Sequence, residues 1–378
     1  MSALDGVEAR RTALEVLARV EDDGAYSNLV LGAVLDRSGL STQDRGFVTD
    51  LVYGTLRRQR ALDHLANRFL SSDPPPAARR VLRLGAYQLV ERDDIPDYAA
   101  VASTVDAAPK RFRGLANAVL RKIATAPVAY PDDATRLSYP DWVVQQLVAD
   151  LGEADAFGAL EAMNEPATAT VRADGYVQDL ASQWVVDLVG ALPGERVLDL
   201  CAAPGGKATG LAGVGATVIA ADLQPHRVGL IAQNARRLEL PGVLALVADA
   251  EHPPFRAASA DRVLLDAPCS GLGVLRRRPD ARWRLDPETP RRLATLQRRL
   301  LDAATGLVAP GGVLVLSVCT LTAAESLGLD EHLATTHPEF EALAAPGEPW
   351  VPWGRGAMLL PQAAGTDGMC CFRYRAPS

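Results

Sequence analysis

Long apolar runs are missing from this 378-residue chain: no stretch approaches the ~18 residues that a membrane helix needs. The first segment, Met1 to Val20, carries acids and arginines through its apolar positions, so no signal peptide is expected there. Cysteine is scarce. The five present contain no C-x-x-C pair, which speaks against both a disulfide framework and a zinc site. The expected setting is a reducing cytoplasm, with no metal and with any special cysteine acting as a thiol. Lysine occurs only at Lys110, Lys122 and Lys207; every other basic residue is arginine. Positive net charge is also lacking, since 39 Lys and Arg stand against 46 Asp and Glu for a balance of −7. That excludes a histone-like grip on nucleic acid everywhere and leaves local basic faces open.

Apolar residues make up 48% and charged residues 22%, enough to build a real core and to exclude disorder as the main theme. The length exceeds the ~100–200 residues of one domain, so two or three are expected. Residues 1–127 read as an all-α domain. Leu14, Leu17, Val16 and Val20 recur at helical spacing, as do Leu51, Val52, Leu56 and then Leu62, Leu65, Leu70. Ser71-Ser-Asp-Pro-Pro-Pro76 breaks the pattern, and another helix is expected over 77–92. Charge is uneven. Arg57, Arg58, Arg60, Arg68, Arg79, Arg80 and Arg83 face only Asp63 and Asp73 within residues 57–83, and five basic residues without an acid fall from Lys110 to Lys122. Such clusters are either solvated helix faces or phosphate contacts.

Residues 128–185 read as a connecting region with a helix around 142–151 and little strand signal. From 186 to the end the rhythm is α/β. Short β-branched runs alternate with helical segments: Arg196-Val-Leu-Asp-Leu200, Ala216-Thr-Val-Ile-Ala220, Val243–Val247, Arg262-Val-Leu-Leu265 and Gly312-Val-Leu-Val-Leu-Ser317. Apolar runs without alternation, separated by helices, predict a mostly parallel buried sheet. Cys370-Cys371-Phe-Arg-Tyr374 reads as a final antiparallel edge strand.

The first of these strands runs into Asp199-Leu-Cys-Ala-Ala-Pro-Gly-Gly-Lys-Ala-Thr209. A strand, a glycine turn and a helix let a ligand approach backbone N–H groups. The G-x-G-x-x-G spacing of dinucleotide loops and the P-loop pattern are both absent. Asp222 ends the second strand, placed for ribose hydroxyls, and Asp249 follows the third, placed for an adenine-side contact. Acidic strand ends repel a pyrophosphate and suit the sulfonium of S-adenosylmethionine.

Cys269, in Asp266-Ala-Pro-Cys-Ser-Gly271, and Cys319, in Ser317-Val-Cys-Thr320, fall at the carboxyl ends of neighbouring strands on the cofactor side. Carbon 5 of a pyrimidine is a poor nucleophile until a thiolate adds to carbon 6. A free thiol is only a few per cent ionised at neutral pH, so a nearby cation helps. Lys207 is the candidate cation, and Asp266 the candidate group for the N3 proton of the ring. A second cysteine assists the elimination that follows.

The motifs Leu200-Cys-Ala-Ala-Pro-Gly-Gly-Lys207 and Asp266-Ala-Pro-Cys-Ser270 resemble those of the Nol1/Nop2/Sun family of RNA 5-methylcytosine methyltransferases. Leu51-Val-Tyr-Gly-Thr-Leu-Arg57, Leu84-Gly-Ala-Tyr-Gln-Leu89 and Asn117-Ala-Val-Leu-Arg121 resemble the NusB-like RNA-binding domain of its bacterial members. The likeness covers nearly the whole chain. It implies a Rossmann-like class I methyltransferase domain over 186–378, cytoplasmic, using S-adenosylmethionine and acting on a cytosine of small-subunit ribosomal RNA. It implies Cys319 as nucleophile to C6, Cys269 as the residue for product release, and Asp266 and Lys207 in the catalytic pocket. Cys201, Ala202, Ala203, Pro204, Gly205, Gly206 and Lys207, with Asp222, Asp249 and Asp266, would hold the cofactor. The stretch Arg276-Arg-Arg-Pro-Asp-Ala-Arg-Trp-Arg284 is expected to meet RNA backbone, with Trp283 stacking or packing. Three features depart from the family: Val318-Cys319-Thr320 replaces Thr-Cys-Ser, Ala324-Glu325-Ser326 replaces Glu-Glu-Asn, and the connector is shortened after Thr170-Val-Arg172. The short connector motivates a second expectation, a non-catalytic RNA-binding or assembly factor, against which the intact Cys269, Cys319, Asp266 and Lys207 speak. A third is the same chemistry on transfer RNA. A target base must be unstacked, which favours a loop.

Overall fold

A computed structural model describes residues 3–378. The chain divides into two units, residues 1–144 with 278–284 and residues 145–277 with 285–378.

The first unit is helical: α1 (Ala3–Asp22), α2 (Ser27–Arg37), α3 (Thr42–Arg57), α4 (Gln59–Asn67), α5 (Pro76–Glu91), α6 (Asp97–Ala107), α7 (Arg113–Thr125) and α8 (Asp133–Leu137). Local chemistry sets the helix starts. The Ser41 hydroxyl accepts the Asp44 N–H at 3.1 Å, and the Asp132 carboxylate accepts the Thr135 N–H at 2.7 Å. Pro76 opens α5, where a fixed φ suits the first turn. Val16, Leu17, Leu51, Leu62, Leu84 and Leu120 are among the side chains that fill the core. Two glycines of the sequence motifs mark close helix approaches: a Cβ on Gly54 would lie 2.0 Å from the Tyr87 ring, and one on Gly85 2.4 Å from Leu120. Inside, Gln88 accepts from Arg10 at 2.8 Å and donates to Thr104 at 3.0 Å.

The arginines of residues 57–83 do not form a free basic face. Arg80 and Arg83 are buried. Arg83 forks onto Asp63 at 2.7 and 2.6 Å and reaches Glu21 at 2.7 Å, Arg80 pairs with Asp22 and Glu21, and Arg79 bridges Asp63 and Asp73. Their acidic partners include two residues at the end of α1, distant in sequence, so a local charge count misses them.

The stretch 276–284 also departs from the expectation of RNA contact. Arg282 is 0% exposed, its guanidinium 3.9 Å from the Tyr139 ring centre, donating to the carbonyls of Arg57 and Ser138 at 3.2 Å each. The Trp283 indole N–H donates to the Leu56 carbonyl at 2.8 Å, so this ring packs. Both residues thus satisfy carbonyls at the end of α3 that the helix itself leaves unpaired. Asp280 accepts from Ser27, and Arg284 donates to the carbonyls of Gly24 and Ala25. In the second unit Arg276 donates to the Gly365 carbonyl and Arg277 pairs with Asp367. Arg278 remains exposed. The segment is mostly structural.

Helix α9 (Asp141–Leu151) ends in the second unit. There follow α10 (Glu153–Ala162), α11 (Leu180–Val189), β1 (Arg196–Asp199), α12 (Gly206–Gly213), β2 (Thr217–Asp222), α13 (Pro225–Arg237), β3 (Val243–Val247) and β4 (Ala260–Asp266). Then come α14 (Thr289–Thr305), β5 (Val308–Val318), α15 (Leu327–Thr336), β6 (Glu341–Ala342), β7 (Val351–Trp353), β8 (Gly356–Leu359), α16 (Pro361–Ala364) and β9 (Met369–Arg375). The sheet order is β3-β2-β1-β4-β5-β9-β8-β7, with β6 also on β9. Strands β1 to β5 pair in parallel, as their continuous apolar runs require. Strand β9 is antiparallel to β5, as expected, but it is not an edge: β8 and β6 pair with it on its far side. Strands β6 to β8 are two to four residues long, too short to carry a strand pattern. Strand order reverses between β1 and β4, the position where open α/β sheets bind ligands beyond the carboxyl ends of their strands.

Candidate active site

The loop after β1 turns at Gly205, with φ of +102°, a conformation that favours glycine; a Cβ there would also lie 3.2 Å from Ile231. Asp222, buried at the end of β2, accepts the Ala203 N–H at 3.3 Å and the Gln224 N–H at 3.1 Å, and pairs with Arg227 at 3.2 Å. The connector contributes a brace that its weak strand signal did not announce. A bridge between Val171 and Val177 folds it into a hairpin, and Arg172 donates to the Gly206 carbonyl at 2.6 Å and to Thr209 at 3.2 Å. Asp249 lies exposed two residues beyond β3. Its carboxylate takes the Glu251 N–H at 2.9 Å, which holds it below its ordinary range.

Asp199, at the end of β1, received no role from the sequence. It is fully buried, and no side chain donates a hydrogen bond to it. Burial first, then the neighbouring Asp266, pushes its carboxyl up to about 8. The nearby Lys207 opposes that shift. Lys207 donates to Asp266 at 2.6 Å, and the other Asp266 oxygen accepts from Ser317 at 2.7 Å. Strand register places Asp266 beside Ser317. Burial alone would lower the Lys207 ammonium, but the attraction of Asp266 outweighs it and the group stays charged.

The two predicted cysteines meet. Their sulfurs are 3.3 Å apart, both half-buried, at the ends of the adjacent strands β4 and β5. The contact with Cys269 lowers the Cys319 thiol, and Lys207 adds to this against the opposing effects of burial and Asp266. The same contact, with burial and the charge of Glu325, holds Cys269 well above the ordinary range. Burial pushes Cys371 up to about 12 and also raises Cys201 and Cys370. Of the five thiols, all free, only Cys319 is shifted towards thiolate.

Glu325 was visible in the sequence only as a variant triplet. In the structure it is fully buried and gathers the residues that follow each cysteine. Its carboxylate accepts the Ser270 N–H at 2.8 Å, the Ser270 hydroxyl, Thr320 at 3.2 Å, Thr322 at 2.9 Å and Gln297 at 3.2 Å. The usable signal was a carboxylate six residues after Cys319, following two threonines.

Family models match residues 7–125 (NusB family) and 188–374 (16S rRNA methyltransferase RsmB/F). The ribosomal RNA small subunit methyltransferase B of Thermus thermophilus is 40% identical over 400 aligned residues, covering 97% of each chain. The chain belongs to the RsmB/F family. The RsmB of Pseudomonas putida is 32% identical and covers 95% of this chain and 96% of its own. In fold, the crystal structure of PH0851 superposes over 98% of both chains with a TM-score of 0.80 at 21% identity. A methyltransferase homologue from Pyrococcus horikoshii covers 66% of this chain and 100% of its own at 0.55 and 22%. Membership makes the protein an S-adenosylmethionine-dependent ribosomal RNA methyltransferase. The site fits that cofactor: the strand ends offer the buried carboxyls of Asp199, to which no side chain donates, and of Asp222.

Proposed function

We propose that the protein methylates carbon 5 of a cytosine in small-subunit ribosomal RNA through a covalent adduct between Cys319 and carbon 6. The observation that carries this reading is the pair of sulfurs 3.3 Å apart of which only Cys319 is shifted towards thiolate. Residues Cys201 to Lys207, with Asp222, Asp249 and Asp266, hold the cofactor. Bound there, S-adenosylmethionine supplies an electrophilic methyl group. The Cys319 thiolate forms a bond to C6, and the displaced π electrons make carbon 5 nucleophilic. Asp266, oriented by Lys207 and Ser317, manages the proton at N3 of the ring. In the elimination a water molecule takes the carbon 5 proton, the electrons of that C–H bond re-form the C5–C6 double bond, and the sulfur departs with its electron pair. Cys269, in contact with that sulfur, serves this release.

The test incubates the full chain with methyl-labelled S-adenosylmethionine and unmethylated small-subunit ribosomal RNA, naked and protein-bound, and maps the label by nucleotide. Label at carbon 5 of one cytosine is expected, and Cys319→Ala abolishes it. Label found only on transfer RNA, or none despite measurable cofactor binding, overturns the reading.

A further inference from the structure

We propose that Glu325 is a positioning residue that locks the two cysteine loops in register and keeps the shared proton on Cys269 rather than on Cys319. The inference rests on the covalent reading above and adds a residue to which neither the sequence motifs nor the family match gives a role.

Three chain segments converge on this carboxylate. Ser270 follows Cys269 directly, Thr320 follows Cys319 directly, and Gln297 comes from α14 and also donates to the Pro268 carbonyl at 2.8 Å. Five donors surround Glu325, and among the described residues no ion pair reaches it, so hydrogen bonds are what favour its ionised form. Burial raises the carboxyl on balance, and the bonds from Ser270, Thr322 and Gln297 work against that rise. A neutral side chain could not accept all five. Moving either cysteine therefore breaks bonds to a buried acceptor.

The charges around the pair are asymmetric. Cys269 contacts Cys319, and its next residue, Ser270, donates both its N–H and its hydroxyl to Glu325, whose charge raises the Cys269 thiol. The charge of Lys207 lowers the Cys319 thiol, those of Asp266 and Asp367 raise it, and Asp367 is itself paired with Arg277. Cys370 donates to the Thr320 carbonyl at 3.4 Å and carries no charge near neutrality. The charge of Glu325 disfavours a thiolate at Cys269 and that of Lys207 favours one at Cys319, so when the pair loses a proton it is Cys319 that gives it up. Cys269 is then the S–H donor, and Cys319 the thiolate that attacks.

The experiment is partial alkylation of the full chain with iodoacetamide across pH, with the modified Cys319 and Cys269 peptides counted by mass spectrometry. This readout needs neither RNA nor cofactor. Glu325→Gln removes the charge at nearly constant shape, and the ratio of Cys319 to Cys269 alkylation is expected to fall about tenfold, one pK unit of bias. Glu325→Asp keeps the charge and restores the ratio, but slows single-turnover methyl transfer because its shorter arm loosens the loops. Thermal melts establish that each variant is folded. A Gln variant with the wild-type ratio, or Asp and Gln variants equally impaired, overturns the proposal. If the wild type labels no cytosine while the ratio still responds as stated, the proton assignment stands and the covalent reading falls.

Discussion

Replacing Lys207 by methionine tests the electrostatics of the site most directly. The Lys207 ammonium lies 2.6 Å from an Asp266 oxygen. At an effective dielectric of ~20 that contact amounts to about 6 kcal/mol of attraction, much of it offset by the desolvation of both groups. Deleting one partner of a buried pair costs ~3–5 kcal/mol. Asp266 is 30% exposed, so the lower end of that range applies. The chemical consequence is more telling than the loss of stability. Lys207 favours the Cys319 thiolate and Asp266 opposes it. With the cation gone, the carboxylate acts unbalanced. The alkylation midpoint of Cys319 should rise by about one pH unit, a tenfold loss of thiolate below the midpoint. Iodoacetamide alkylation of the Cys319 peptide, followed across pH, measures the shift. The double variant Lys207→Met with Asp266→Asn removes both charges and should bring the midpoint back towards wild type without recovering methyl transfer. A single variant with an unmoved or lowered midpoint refutes the assigned role of Lys207, and a double variant that stays displaced refutes the pairing.

Asp199→Asn addresses the buried carboxyl. Its folded value of about 8 exceeds the unfolded ~3.9, so between these values the folded chain holds a proton that the unfolded chain has released. Stability from this group therefore falls as pH rises through that window. The Asn variant should melt closer to wild type at the acidic end and above it at the alkaline end; parallel melting curves would contradict the burial argument. Cys269→Ala should accumulate a covalent RNA–protein species on denaturing gels under turnover conditions, whereas Cys319→Ala should form none. Arg282→Met leaves the Arg57 and Ser138 carbonyls unpaired and should cost about 1–3 kcal/mol for each. It should lower the melting temperature of the helical unit while leaving RNA affinity unchanged well below the transition. A weaker salt dependence of RNA binding in that variant would instead restore the phosphate-contact reading.

The parallel strands and the turn after β1 were legible because each is a local pattern: an apolar run, a glycine turn, an acid at a strand end. The meeting of Cys269 and Cys319 was legible because neighbouring parallel strands bring their carboxyl ends together whatever lies between them. Arginine clusters were not legible. Arg83 and Arg80 find Glu21 and Asp22, about sixty residues away, and Arg282 finds carbonyls more than a hundred residues earlier. A charge count over a window cannot distinguish an arginine awaiting phosphate from one whose partner is remote. Glu325 escaped for a related reason. Its importance lies in five donors drawn from three segments, and only two of those donors, Thr320 and Thr322, are near it in sequence.

The placement of charge and thiol divides the work of the site. Asp199, Asp222 and Asp266 end strands of the rigid parallel sheet, so their spacing is fixed by ladder geometry. The cysteines stand one to three residues beyond the strands, on loops that the sheet alone does not hold. Backbone bonds supply part of the missing restraint, from Gly273 to the Cys319 carbonyl at 3.1 Å and from Gly368 to the Gly273 carbonyl at 2.8 Å. Glu325 supplies the rest. The pair needs both: ladder neighbours that bring two strand ends together, and a buried acceptor that ties the loops beyond them. Ser270, Gly273 and Gln297, which supply these restraints, all lie between the two cysteines, so the segment that joins them is part of what holds them. A substitution at Ser270, Thr320 or Glu325, none of which bears a reacting atom, should therefore disturb the sulfur contact.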